Sequence, residues 1–340
     1  MMRYVATRVG LAGVTIWGLA TIVFVMVKLI PGDEAQVAAG QYASADQVEA
    51  VRRSLGLDAS LPVQYIDYLD RLLHGNLGSS TSSSRPVLDA LWDVLPPTVE
   101  LVILAGLIDV LVAVPLGVLS ALRRGSRIDG LVRVAAVTVG GVPTFVLALI
   151  AQYVIATKLH VLPVSGELSL AYDVPRVTGF VTLDALLAGD VGAWWNAVEH
   201  LILPAAVLAL PFTGMLVRIT RSSMIEVLDA EYLMVAKAKG IPHRRLVFRH
   251  GLANALNPIL STAGIQLGVM LGSAVLVESV FGRSGLGGFL TESVSQKDTN
   301  AVLGAVLFIG VVVVAVNLVV DLLQMAIDPR VRSQQMGGAG

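Results

Sequence analysis

Six times along the chain, apolar residues continue for about 20 or more positions with scarcely a charge among them: roughly 9–30, 98–122, 131–157, 199–219, 256–280 and 301–326. A helix of about 20 such residues crosses the hydrocarbon core of a bilayer. Lipid leaves the backbone no partner but its own helix or a closed barrel. Only 14% of the residues are charged and 55% are hydrophobic, so a soluble reading is set aside. The expectation is an all-α polytopic membrane protein with six transmembrane helices. The first run follows Arg3 and Arg8 and exceeds the roughly 7–15-residue core of a signal peptide. It is therefore expected to be a retained span, with Lys28 snorkelling at its far end.

Charge sets the expected orientation. The N-terminus, 123–133, 218–250 and the C-terminus hold 15 of the 24 Lys and Arg, although the net charge is only −1. The intervening segments hold the acids, with 10 from Asp33 to Glu100 and 5 from Glu167 to Glu199. Basic residues in short loops stay on the cytoplasmic side, so both termini are expected inside. The absence of cysteine excludes a disulfide framework and thiolate chemistry.

Two long loops then face outwards. In the first, 31–97, "SADQVEAVRRSLG" reads as a helix with Ser44 and Gln47 as a capping box and Gly56 as its stop. "LPVQYIDYLDRLLHGNLG" reads as an amphipathic helix with Tyr65, Tyr68, Leu69 and Leu72 on one face. The Ser-rich "GSSTSSSRP" reads as a mobile turn. The second, 158–199, ends in "GDVGAWWNAVEH", whose Trp194 and Trp195 are expected at the membrane interface.

Within the spans, Gly264, Gly268 and Gly272 stand four apart and bare one helix face. This fits ordinary close packing and equally a helix that slides during transport. Gln266 can line a polar path or bond a neighbouring helix. Pro115, Pro143, Pro204 and Pro211 fall inside spans, and Gly140–Gly141–Val142–Pro143 is the most pliable of these sites. Asp109 and Asp321 lie at membrane depth without basic partners in the spans, which admits either a proton relay or a bond to a neighbouring helix. No phosphate-binding loop, "HExxH" or paired metal-ligand spacing occurs. No metal site and no catalytic residue is assigned, and any energy must enter from elsewhere.

The stretch "AEYLMVAKAKGIPHRRLVFRH", 230–250, interrupts this apolar background. Ala236 and Gly240 share a nearly bare helix face, Ala238 adds to it, and Pro242 forces a turn. Basic residues here serve topology and anionic headgroups. Topology alone, however, asks neither for a small face nor for a Gly–Pro break. A groove-filling contact with a soluble partner asks for both.

"MVAKAKG" followed by "IPHRRLVFRHGLANALNPIL" resembles the EAA loop of ABC-importer permeases, in the form seen in the dipeptide/oligopeptide (peptide/nickel) family. Met234 and Val235 replace the motif's first two positions, whereas Ala236 and Gly240 match. "LGLDASLPVQYIDYL", "LHGNLGSS", "RPVLDALWDVLPPTVEL", "PLGVLSALRRGSRIDGLVR", "VESVFGRSGLGGFL" and "NLVVDLLQMAIDPRVR" resemble the family in order, with Ser284 where a proline is usual. The last of these places Asp321 in the family's structural pattern, while Asp109 fits none, and 163–199 is the most divergent region.

The resemblance implies a B-type dipeptide-permease subunit with the type I ABC-importer permease fold in a bacterial inner membrane. It implies a second permease subunit, two ABC ATPases that carry ATP and Mg, and an extracytoplasmic solute-binding protein. It implies that Ala236, Lys237, Ala238, Gly240 and Ile241 contact an ATPase, with Arg244, Arg245 and Arg249 in support. The outer loop 44–95 becomes the candidate dock for the binding protein. The expected division is 1–30 tail and first span, 31–97 outer loop, 98–327 core including the coupling loop 221–255, and 328–340 cytoplasmic tail. No cofactor of the chain's own and no nucleic acid is expected; lipids surround it. The cargo stays open among dipeptides, longer peptides, nickel complexes, glutathione and haem. A gradient-driven carrier using Asp109 is the alternative.

Overall fold

The computed structural model describes residues 2–29, 35–36, 43–54 and 56–327. The expected tail 328–340 lies outside the described residues, as does most of 30–42. Among the described residues the chain is helical, and its only β feature is the isolated bridge between Ser79 and Pro86. The helices are α1 (Met2–Leu29), α2 (Ala45–Ser54), α3 (Leu61–Leu73), α4 (Val87–Leu122), α5 (Arg127–Gly140) and α6 (Thr144–Ala151), which continues as a π-helical turn, Gln152–Lys158. They go on with α7 (Val181–Leu187), α8 (Val191–Leu228), α9 (Glu231–Ala238) and α10 (His243–Arg245). A π-helical turn, Leu246–Leu252, then leads into α11 (Ala253–Phe281), α12 (Leu286–Ser295) and α13 (Thr299–Ile327).

Among the described residues, five helical stretches are long and apolar enough to cross a membrane. The run 131–157, expected as one span, is instead two helices, α5 and α6 with its π turn, bent by 101°. Pro143 has no N–H to continue α5, and its ring disfavours helix at Val142. Gly141 closes α5 by donating to Val137 O at 3.1 Å. Two other spans run longer than their apolar windows. α4 begins at Val87 and passes through Pro96 and Pro97, while α8 begins at Val191, where Asp190 accepts from Ala193 N at 2.9 Å. Apolarity marks the lipid-matched part of a helix and not its ends, which caps decide.

α8 is the central helix, packed by α4, α11, α5, α6 and α7. One apolar core joins Leu101 and Ala105 of α4, Leu208 of α8, and Met270 and Phe281 of α11. A second, towards the basic end of the bundle, joins Val118, Ala136, Leu216, Met224, Val247 and Ile259. Gly214 lets α8 meet α5 at backbone distance, for a Cβ there would collide with Ala136 O.

Local signals in the segments between the spans are realised. Ser44 N donates to Gln47 Oε1 (2.8 Å) and Gln47 N to Ser44 Oγ (3.3 Å). Gly56 stops α2 at φ +66, with Gly56 N on Arg53 O and Leu57 N on Arg52 O. The turn expected to be mobile, "GSSTSSSRP", is instead tied down. Buried Asp298 accepts from Ser80 Oγ (2.6 Å), Ser82 N and Ser82 Oγ (both 3.1 Å), and it also caps α13 through Ala301 N (3.0 Å). Burial pushes this carboxyl up, but Ser80, Ala301 and Ser82 outweigh it and hold it below the usual carboxylate range. Asp184 gathers 163–199 in the same way, accepting from Val177 N, Thr178 N, Thr178 Oγ1 and Gly179 N.

Candidate functional site

At the basic end of the bundle, α8 runs out of lipid-matched sequence at Leu228, and the chain turns through Asp229 and Ala230 into α9. Leu233, 2% exposed, is the one side chain that anchors α9 in the core. The helix ends on a Schellman motif: Gly240 N donates to Lys237 O (3.0 Å) and Ile241 N to Ala236 O (3.3 Å), with Gly240 at φ +78. A left-handed residue in that place is what glycine supplies most cheaply. Pro242 then leads into α10 and, through the π turn, into α11. The short α9 is thus a projection between two of the longest helices in the core.

Its base is braced by charge. Asp129, 2% exposed, accepts from Arg221 Nε (2.7 Å) and Nη2 (2.9 Å), Ser120 Oγ (2.6 Å) and Gly125 N (3.0 Å). A bidentate guanidinium–carboxylate pair fixes geometry as well as charge. It ties the first turn of α5 to the last turns of α8. Outside it, Arg124 pairs with Asp229 at 3.0 Å. Arg124 and Asp229, with Leu233, Met234, Lys237, His243 and Leu246, line a cavity of about 350 Å³ beneath α9.

Ala236 and Ile241 are half-buried, whereas Lys237, Ala238, Gly240, Arg244, Arg245 and Arg249 are exposed on one projection. Nothing stands within 4 Å of where a Cβ on Gly240 would lie, so the bare face opens outward. Among the described residues Lys237, Lys239, Arg244, Arg245 and Arg249 form no ion pair. The projection therefore carries uncompensated positive charge beside exposed Tyr232, Met234, Val235 and Phe248.

The other singled-out residues lie elsewhere. Asp109 of α4 is 1% exposed and its Oδ1 has no hydrogen-bond partner among the described residues; the hydroxyl that interacts with this carboxyl is Thr213 of α8. Gln266 of α11 donates to Phe212 O (3.0 Å), and its Oε1 is unpartnered. The fold thus brings both to Phe212–Thr213 of α8. Of the three glycines, Gly268 packs against the Asn317 side chain of α13, Gly272 has open space, and Gly264 is half-buried. Asp321, read as lacking a basic partner in the spans, has one: Arg8 of α1, at 3.1 Å. Arg8 looked like a topology flank because charge pairs across helices are invisible to local sequence.

The Asp129–Arg221 pair was missed for the same reason, and so was a further carboxylate within the spans, Glu278, which is fully buried and accepts from Gly287 N at 2.7 Å. Near it Arg283, 2% exposed, stands 3.8 Å from Glu100, which accepts from Thr182. The only available signal was an acid followed by a Gly-rich turn, "ESVFGRSGLGG".

The described residues thus form a bundle of membrane-spanning helices that carries a braced, basic, small-faced projection. The family model described as "Binding-protein-dependent transport system inner membrane component" matches residues 113–333, and the corresponding N-terminal model matches 1–102. The chain belongs to this family, as a multi-pass inner-membrane transport subunit and not an enzyme. It is 39% identical over 337 residues to the di/tripeptide transport system permease protein of Pseudomonas aeruginosa (strain UCBPP-PA14), covering 98% of this chain and 100% of that one. It is 42% identical over 315 residues to the probable D,D-dipeptide transport system permease protein of Escherichia coli (strain K12), covering 92% and 93%. To the dipeptide transport system permease protein of the same strain it is 34% identical over 339 residues, covering 98% and 100%. These relatives give no support to a gradient-driven carrier using Asp109.

Proposed function

We propose that the chain is one of two permease subunits of an ATP-driven importer for dipeptides and related short peptides. The dipeptide and di/tripeptide transport systems to which its relatives belong support the cargo. The single observation that carries the coupling role is the projection 231–245, a helix closed by left-handed Gly240 with five uncompensated cations on and beside it. In this reading α1, α4, the bent pair α5–α6, α8, α11 and α13 make six crossings with both termini in the cytoplasm. The chain divides into a tail and first span (1–30), an outer loop (31–97), a core containing the coupling loop 221–255 (98–327) and a cytoplasmic tail (328–340).

The second permease subunit supplies the other half of the pathway. Two ATPases, carrying ATP and Mg, dock below, and a solute-binding protein delivers cargo above, with 44–95 as its dock. Ala236, Lys237, Ala238, Gly240 and Ile241 fill the ATPase groove, and Arg244, Arg245 and Arg249 flank it. Nucleotide binding favours one ATPase arrangement, and α9 passes that preference to α8 and α11 because the Asp129–Arg221 brace resists local yielding. A ligand shifts such an equilibrium only by its differential affinity for the two states.

The test is purification of tagged chain in mild detergent. Recovery of a second permease and ATPases, lost on Gly240→Trp, is the expected result. Recovery of the chain alone, under conditions that keep other membrane complexes whole, would refute it.

A further inference from the structure

α3 has three faces. Tyr65, Tyr68, Leu69 and Leu72 turn towards the protein and are half-buried. Asp67 and Arg71 lie on an exposed polar side. Between them, on the helical repeat of 3.6 residues, runs an exposed apolar face of Pro62, Ile66 and Leu73, with Ile66 64% and Leu73 86% exposed. Apolar side chains left this bare need an occupant.

The contacts of α3 fix its depth. Tyr65 Oη lies 2.6 Å from Thr21 Oγ1 of α1. The Phe24 ring lies 5.2 Å from the Tyr65 ring and 5.4 Å from that of Tyr68. Lys28 stands over the far side of this seam, 5.5 Å from the Phe24 ring centroid, where a snorkelling ammonium meets the headgroups. α1 is long and apolar enough to cross a membrane and is described as far as Leu29. At 1.5 Å per residue Thr21 lies about 12 Å, and Phe24 about 7.5 Å, inside that end. The Phe24 ring meets both Tyr65 and Tyr68, so α3 lies beside α1 near the level of Phe24. That matches the roughly 5–10 Å immersion of in-plane amphipathic helices.

Two further observations agree. The ring and hydrogen-bond contacts fall on one turn of each helix, 65–68 on α3 and 21–24 on α1, as in two helices that cross. The Tyr68 hydroxyl is buried at this seam, with no hydrogen-bond partner among the described residues.

We propose that α3 lies in the membrane plane beside the outer end of α1, with Pro62, Ile66 and Leu73 set into the acyl chains of the outer leaflet. Asp67 and Arg71 then face water, and the helix tethers the outer loop to the bilayer. The inference rests on α1 spanning the membrane with its N-terminus inside, and stands apart from the transport reading. A protein occupant, such as a docked binding protein, is the competing outcome.

The chain has no cysteine, so single nitroxide labels report cleanly. Labels at Ile66→Cys and Leu73→Cys, with Asp67→Cys and Arg71→Cys as water-facing references, go into the full complex. The complex is reconstituted in phosphatidylethanolamine–phosphatidylglycerol vesicles, with the unsubstituted complex as background. Collision rates are read with oxygen, which partitions into lipid, and with a nickel chelate, which stays in water. The expected oxygen-to-nickel ratio is several-fold higher at 66 and 73 than at 67 and 71, with or without binding protein. Equal ratios at all four sites overturn the proposal. Shielding of 66 and 73 from both reagents, before or after binding protein is added, also overturns it and assigns the face to protein.

Discussion

Replacing Gly240 separates what the chain needs from what its partner needs. Gly240 sits at φ +78, and a residue with a Cβ pays about 1–2 kcal/mol for that left-handed backbone. Asparagine pays less, since it visits this region readily. The space around a Cβ at 240 is empty within 4 Å, so the chain alone charges alanine and tryptophan the same backbone cost. At about 1.4 kcal/mol per tenfold, either lowers the population of the closed turn by roughly tenfold, and Gly240→Asn lowers it less. An ATPase groove adds a volume term that the isolated chain lacks. Binding-protein-stimulated ATP hydrolysis of the reconstituted complex should therefore fall in the order Gly, Asn, Ala, Trp. Gly240→Trp should abolish stimulation while membrane insertion stays at wild-type yield. Equal stimulated rates for Gly240→Ala and Gly240→Trp would refute the reasoning, because no partner would then press on this face.

Arg221→Met leaves the buried Asp129 carboxylate with Ser120 and Gly125 as its remaining donors, and should cost about 3 kcal/mol, near the lower end for a broken buried pair. Thermal unfolding of the purified complex should show Asp129→Asn/Arg221→Met less destabilised than Arg221→Met alone; additive losses would contradict a direct pair. Asp298 is held below its usual range, so its anchoring of 79–86 is complete above about pH 4. That anchoring weakens as pH falls through the depressed folded value, and protease cleavage within 81–85 should rise there. Asp298→Ala should show the same cleavage at neutral pH. Gly214→Leu drives a side chain into Ala136 O and should cost about 1–3 kcal/mol or more through overpacking, read as lost yield of folded chain.

Some of this was legible locally. The Ser44–Gln47 box, the Gly56 stop and the Tyr65/Tyr68 face of α3 were set by residues within one or two turns of each other, so spacing alone found them. The same holds for the Gly240–Pro242 ending of α9, whose Schellman bonds span five residues. Arg8–Asp321, Asp129–Arg221 and Asp298 with Ser80 join residues 92 to 313 positions apart, and no spacing announces them. Asp298 also explains why a serine-rich stretch judged mobile is held: its composition describes an unpartnered chain, and the partner lies over 200 residues away.

By itself the sequence determined that the chain belongs in a membrane, that it is helical there, and where its basic end interrupts. Backbone desolvation makes long apolar runs helical whatever surrounds them, and a left-handed closure selects glycine wherever it occurs. Only the tertiary structure decided that 127–158 bends by 101°, that Asp109 and Gln266 meet the same turn of α8, and which charges brace the projection. Those outcomes depend on which helices pack side by side, and that packing is fixed by shape and charge across the whole bundle.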